Sequence, residues 1–280
     1  MDMTSRQSIR LGRVQETMLV PLYARAAESR KKTPILVDPQ AVKIVEAIDW
    51  NFQRFGQRSR TFACALRGTL FDEWIKTFLR CHPEGTVVEI GAGLNTRFER
   101  LDNGRVHWFD LDLPDAVELR RKFFADSERR TTLACSVLDS GWRAEVRQSP
   151  GPYFLIAETV FVYLEEREVQ AALAQIAADF PCASIAFDTI SRRAKNGGNR
   201  DFARRNMAAR FEWVCDDPRE IERWKIGLRM VESRTLVDVP DALIPRLSLV
   251  MRTTFSVLRK LCPSLMKAYQ LNLFAGRPEG

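Results

Sequence analysis

The chain has 280 residues, 45% hydrophobic and 28% charged, the ordinary composition of one large globular domain. Its 43 Lys and Arg against 36 Asp and Glu leave +7, too mild a bias to demand nucleic acid and weakly favourable to an anionic small molecule. No apolar run reaches the ~18 residues of a membrane span, MDMTSRQSIRLGRVQ lacks the apolar core of a secretory signal, and two histidines, His82 and His107, argue against a metal site or a Ser-His-Asp triad.

From the N-terminus, residues 12–32 carry apolar side chains at helical spacing, interrupted at Pro21. Asp38-Pro39 opens a second helix, because Asp caps free N–H groups and Pro fits a first turn. Cys64 to Arg80 reads as a third, amphipathic helix. No strand is evident in this portion, so residues 1–82 are expected to form a helical cap packed on the core. From residue 83 the pattern changes to short strands, in TVVEIGAG, RVHWFDLDLP, TTLACSVLD, PYFLIAETVFVYL and CASIAFDTIS. The helical stretches DAVELRRKFFADSERR and EEREVQAALAQIAADF lie among them, as in right-handed βαβ units. A basic insertion with a glycine pair, about 192–226, reads as a loop and helix over one face. LRMVESRTLVDV and AYQLNLFAGRP supply two final strands around a helix near Leu243 to Leu261. The expected fold is α/β, one doubly wound domain with a mostly parallel seven-stranded sheet, N-terminal helices and a helical lid insertion. Six scattered cysteines without C-x-x-C read as reduced thiols of a cytoplasmic protein.

Glu89-Ile90-Gly91-Ala92-Gly93-Leu94-Asn95-Thr96 sits where the first of these strands turns into a helix, where small residues let backbone approach a ligand. The third glycine of a dinucleotide fingerprint is replaced by Thr96, and the Lys-Ser/Thr pair of a P-loop is missing. Glu89 would repel a pyrophosphate and suit a cation. S-adenosylmethionine, with its sulfonium, ammonium and carboxylate and no phosphate, fits; a bare tight turn is the alternative. Asp110 and Asp112 end the second strand, where a carboxylate takes ribose hydroxyls; Asp112 is preferred, and capping of the helix begun at Pro114 competes. Cys135 to Asp139 end the third strand, where Ser136 or Asp139 would bond an adenine and Val137 pack on it. Glu158 ends the fourth, placed for the ammonium or sulfonium side, or else for a cap or ion pair. Arg67 is the best cation for the cofactor carboxylate, through two parallel bonds, although its spacing alone also suits a surface charge.

Together, EIGAGLNTRFERLDNGRVHWFDLDLPDAVELRRKFF, LACSVLDSGW, LIAETVFVYLEEREV, SIAFDTIS, ETMLVPLYARAAES and ILVDPQAV resemble the leucine carboxyl methyltransferase family, closest to the branch typified by tetracenomycin polyketide-synthesis O-methyltransferases. The similarity runs from about Glu16 to Phe187 and more weakly to the end; Asn95 departs from a position where that branch commonly has Asp. The resemblance implies a Rossmann-like class I methyltransferase that uses S-adenosylmethionine, releases S-adenosylhomocysteine and needs no metal. It implies Arg67 on the methionine carboxylate, Gly91 and Ala92 along the methionine with Glu89 and Gly93 beside them, Asp112 with neighbouring Asp110 on the ribose, Ser136, Val137 and Leu138 around the adenine, and Glu158 at the amino end.

Methyl transfer from a sulfonium depends mostly on holding the acceptor oxygen behind the methyl carbon, so no catalytic residue is required; Tyr163 and Glu158 are the only candidates. The sequence offers no obvious base, which favours a carboxylate or an acidic phenol. Segments beyond the sheet must close the crevice, and Tyr23, Arg25, Tyr163, Arg210 and Trp213 are expected around a small natural-product acceptor, polyketide-like or aromatic. Trp213 equally suits packing between insertion and sheet. The expected protein is a monomer or homodimer without nucleic-acid or membrane partners. A protein C-terminal carboxyl methyltransferase and a nucleic-acid methyltransferase are the alternatives, although no N/D-P-P-Y/F motif stands at Glu158 to Phe161.

Overall fold

The computed structural model describes residues 7–8, 15–55 and 58–276. Its centre is a seven-stranded sheet of β1 (Thr86–Ile90), β2 (His107–Asp112), β3 (Arg130–Ala134), β4 (Tyr153–Ala157), β5 (Ser184–Ile190), β6 (Leu228–Thr235) and β7 (Tyr269–Gly276). The spatial order is β3-β2-β1-β4-β5-β7-β6; the first five are parallel, and β7 runs antiparallel to both neighbours. Every residue of β1 is buried. Such continuous burial is what a parallel strand covered on both faces requires, and it explains the unbroken TVVEI run. The order reverses between β1 and β4, which opens a crevice outside their carboxyl ends.

One core layer joins Val88, Leu155 and Phe187 to Leu173 and Ile176 of the helix at Glu166–Asp179. The opposite layer joins Val87, Trp108 and Ile156 to Leu70, Phe71 and Trp74. A third cluster packs Leu19, Leu22 and Ile44 against Leu94, Leu119 and Phe124. The first two N-terminal helices therefore rest directly on the loop that follows β1, while the third packs on the sheet. These helices are α1 (Leu19–Ser29), α2 (Pro39–Ala47) and α3 (Arg58–Cys81). Asp38 caps α2 by accepting from Ala41 N.

Several expectations need correction. Pro21 does not interrupt the first helix, because it lies in the opening turn of α1, where its missing N–H has no partner to lose. Residues 12–14 of that expected stretch lie outside the described residues. The N-terminal portion does hold strand, a two-residue parallel pair of Gln7–Ser8 with Ile48–Asp49. The glycine pair is not loop: the helix Arg192–Arg204 runs straight through Gly197 and Gly198, capped by Ser191 on Ala194 N. A Cβ at Gly198 would stand 2.4 Å from the Phe211 ring, so glycine here serves close packing. Among the described residues no helix is long and apolar enough to cross a membrane.

Candidate functional site

A cavity of about 550 Å³ opens at the switch point, within the size range of small-molecule sites. Its floor is the loop Gly91–Asn95. Gly91 and Gly93 adopt φ of +66° and +47°, and a Cβ on Gly91 would stand 2.3 Å from Val160 Cγ2. The first glycine is thus demanded by backbone conformation and by Val160 behind it. Four of the loop's N–H groups are already bonded: Gly91 and Ala92 to Leu111 O, Gly93 to Asp112, and Asn95 to Ala92 O. Its carbonyls are held by two buried arginines. Arg25 of α1 donates to Leu94 O at 2.8 Å, and Arg120 donates to Gly93 O at 2.8 Å and Asn95 O at 2.9 Å.

Asp112 lines the cavity, with Oδ2 accepting from Gly93 N at 2.6 Å and Oδ1 from Leu113 N at 2.7 Å. Burial raises its carboxyl above the usual range despite these bonds. Asp110, expected beside it, lies outside the lining. It is 1% exposed and sits between Arg120 at 2.8 Å and Arg130 at 2.7 Å. Those partners are a helix and a strand away, a pairing that strand periodicity could not reveal.

Glu158 and Arg67 both line the cavity, and they face each other, with Arg67 Nε donating to Glu158 Oε1 at 2.7 Å. Fully buried Arg97 donates to Glu158 Oε2 at 2.5 Å, to Asp72 Oδ1 at 2.7 Å and to Glu89 Oε1. Burial pushes the Glu158 carboxyl up, but the two guanidiniums outweigh it and hold the group at about 2. Glu89 shares one guanidinium with two other acids and keeps Oε2 unpartnered, so burial prevails and lifts it to about 7. Beyond β3, Cys135, Ser136 and Val137 line the cavity, whereas Leu138 turns away to pack against the core.

The opposite end is closed by three segments. Thr17 of the 3-10 turn Gln15–Met18 and Val20 and Pro21 of α1 form one, Arg60 and Cys64 of α3 another, and Gly197, Gly198, Asp201 and Phe202 of the insertion helix the third, while Met18 packs over Gly93. Tyr163 and Phe211 complete a wall, their rings 5.2 Å apart. Arg25 lines this region, but its guanidinium is occupied by Asp38 at 2.9 Å and by Leu94 O. Tyr23, Arg210 and Trp213 do not line the cavity. Tyr23 stacks on Phe52 at 5.7 Å, exposed Arg210 donates to the carbonyls of Met207 and Ala209, and Trp213 is 2% exposed between Phe187 and Trp224. Sequence reasoning missed Arg60, Cys64, Met18 and Val160. Helical spacing carried a signal for two of them, since Cys64 and Arg60 lie one and two turns before Arg67 on one face.

Residues 18–177 match the model of the leucine carboxyl methyltransferase family. Tetracenomycin polyketide synthesis O-methyltransferase TcmP of Streptomyces glaucescens is 30% identical over 236 residues, covering 84% of this chain and 87% of that protein. The S-adenosyl-L-methionine-dependent methyltransferase dpfgK of Gibberella zeae is 28% identical over 242 residues, covering 78% and 80%. A DUF574-family protein of Streptomyces avermitilis superposes with a TM-score of 0.55 at 14% identity, covering 93% of this chain and 97% of its own. A candidate methyltransferase from Thermobifida fusca YX does so with 0.55 at 14% identity, covering 78% and 82%. The two structures share the Rossmann-like fold of this sheet. With its family model matched over more than half its length and a relative 30% identical across 84% of the chain, the protein belongs to the leucine carboxyl methyltransferase family and is an S-adenosylmethionine-dependent methyltransferase.

Proposed function

We propose that the enzyme transfers methyl to an oxygen of a small molecule that arrives as an anion, a carboxylate or an acidic phenol. The cofactor supplies a methyl group already activated by its sulfonium. The cavity's polar groups suit the rest of that molecule: the adjacent guanidinium of Arg67 and carboxylate of Glu158 are the complement of an amino-acid zwitterion, and orphaned Glu89 Oε2 adds a polar group beside Gly91. Asp112 keeps lone pairs for ribose hydroxyls, and Ser136 and Val137 stand where an adenine would lie.

The observation that carries the oxygen-anion reading is the lack, among the described residues, of a base at the acceptor end. Burial pushes Tyr163 up to about 12 and also raises the Cys64 thiol, while burial on Asp201 is overridden by Arg60 and Arg205, which lower it. None of the three takes a proton from a weakly acidic alcohol near neutral pH. The chain's contribution is orientation: the Tyr163–Phe211 wall and the insertion helix fix the acceptor, and a dry cavity strengthens its attraction to a positive methyl donor. The polyketide O-methyltransferase at 30% identity supports oxygen as the target.

The deciding experiment is incubation with methyl-labelled cofactor and a panel of aromatic carboxylic acids, phenols, amines, leucine-ended peptides and RNA, read by mass spectrometry. Label on a carboxylate or phenolate supports the proposal; label only on amine, peptide or RNA overturns it. With the acceptor so found, Tyr163→Phe is expected to keep kcat within about 3-fold, since general bases contribute roughly 100-fold or more. A 100-fold loss would make Tyr163 the base. Asp112→Ala is expected to weaken S-adenosylhomocysteine binding by about 1–3 kcal/mol, the cost of unpaired hydroxyls, and calorimetry showing an unchanged Kd would remove Asp112 from the site.

A further inference from the structure

Thr159, next to Glu158, adopts φ +56°, a left-handed conformation that a β-branched residue strongly resists. What holds it there is Asp188 of β5, which is 0% exposed and lies outside the cavity lining. Its Oδ1 accepts from Thr159 N at 2.8 Å and its Oδ2 from Thr159 Oγ1 at 3.0 Å. Oδ2 also accepts from the Tyr269 hydroxyl, which reaches it diagonally across the β5–β7 pairing of Asp188 with Leu271 and Ile190 with Tyr269. The same hydroxyl oxygen accepts from Arg67 Nη1 at 3.3 Å. The turn pinned in this way ends β4 and determines where its neighbours point. Glu158 faces Arg67 and Arg97 on one side, and Val160 fills the space behind Gly91 on the other.

From this juxtaposition we propose that Asp188 is a positioning residue for cofactor binding: it holds Thr159 in the left-handed turn that aims Glu158 into the cavity, and through Tyr269 it steadies Arg67. The inference rests on the reading of Arg67 and Glu158 as the groups that receive the amino-acid end of the cofactor. Thr159 and Tyr269 have no other carboxylate to accept from them, so the arrangement depends on this one side chain among the described residues. Burial raises the Asp188 carboxyl, and Arg67, Tyr269 and Thr159 draw it back toward the ionised form; Glu158 is the other charge that faces it.

The test is a glycine rescue. Glycine adopts positive φ at no steric cost, so it needs no pin at position 159. S-adenosylhomocysteine binding is measured by calorimetry, with melting temperature alongside, for the wild type, Asp188→Asn, Thr159→Gly and the double variant. The expected result is a Kd raised about 10-fold or more in Asp188→Asn, and Thr159→Gly within about 3-fold of wild type; the double variant should bind about 3-fold or more tighter than Asp188→Asn, the remaining deficit being the lost Tyr269–Arg67 support that glycine cannot replace. A merely structural role would lower the melting temperature and leave Kd unchanged, which overturns the proposal. So does a double variant that stays as weak as Asp188→Asn. Should Asp188→Asn not fold, the double variant is expected to fold and bind, and its failure in either respect counts equally against the proposal. A wild type that binds no S-adenosylhomocysteine would instead defeat the underlying reading of the site, so the two failures are distinguishable.

Discussion

Arg97→Met is expected to lower the unfolding free energy by about 3–5 kcal/mol at pH 7, the usual cost of stripping the partner from buried charge. The side chain is 0% exposed and serves three acids at once, Asp72, Glu89 and Glu158. Asp72 would retain Arg100 and Glu158 would retain Arg67, but Glu89 would be left with no cation in contact. The loss should therefore depend on pH, and its sign follows from Glu89. Its folded-state pKa, about 7, lies above its ordinary 4.5. A carboxyl raised on folding favours the native state below its unfolded pKa, and that contribution disappears as pH rises through the folded value. Without Arg97 the group is raised further, so the deficit in urea unfolding should be larger at pH 8 than at pH 5.5. Adding Glu89→Gln should return part of the lost stability at pH 8. A deficit independent of pH would show that packing around Arg97, and not its charge, is what matters. Glu158 behaves oppositely in the wild type: held at about 2, it contributes above about 4.5, and that contribution goes only as pH falls through 2.

Trp213→Ala is expected to cost about 3–5 kcal/mol, the range for emptying a buried tryptophan site, and to lower Tm by roughly 10 °C at this chain length. The ring is 2% exposed and packs between Phe187 of β5 and Trp224, while its backbone N–H donates to Val162 O at 3.3 Å. It thus fastens the insertion to the sheet directly behind Tyr163. Below the transition, cofactor Kd and acceptor KM should match the wild type. An unchanged Tm with a raised acceptor KM would return Trp213 to the acceptor's surroundings.

The strands were legible because a parallel sheet demands continuous apolar runs, and TVVEI, YFLIA and SIAFDTI announce themselves. The helix through Gly197 and Gly198 was not, since glycine's low propensity argues against helix wherever the reason for it, here Phe211 against the backbone, lies outside the local sequence. That Gly91, Gly93, Asp112 and Glu158 would line the crevice was readable, since they occupy strand ends whose positions topology dictates. Asp110 shows the limit. It shares a strand face with Asp112, and only the arginines that reach it, Arg120 and Arg130, separate a buried ion pair from a ligand. The opposite wall of the cavity was less readable for the same reason: Arg60, Phe202 and Phe211 converge there from separate segments, and nothing local marks them.

One guanidinium ties the two ends of this cavity together. Arg25 belongs to α1, whose first turn lines the end proposed for the acceptor, and its Nη2 holds the carbonyl of Leu94 in the loop proposed to hold the cofactor. A displacement of the loop is therefore transmitted to α1, and a displacement of α1 to the loop. Linkage makes that traffic reciprocal for equilibrium binding: whatever factor bound cofactor adds to acceptor affinity through Arg25, bound acceptor adds to cofactor affinity. Severing the tie with Arg25→Met would make the two sites more independent, so the heat of each binding step would depend less on whether the other had already occurred.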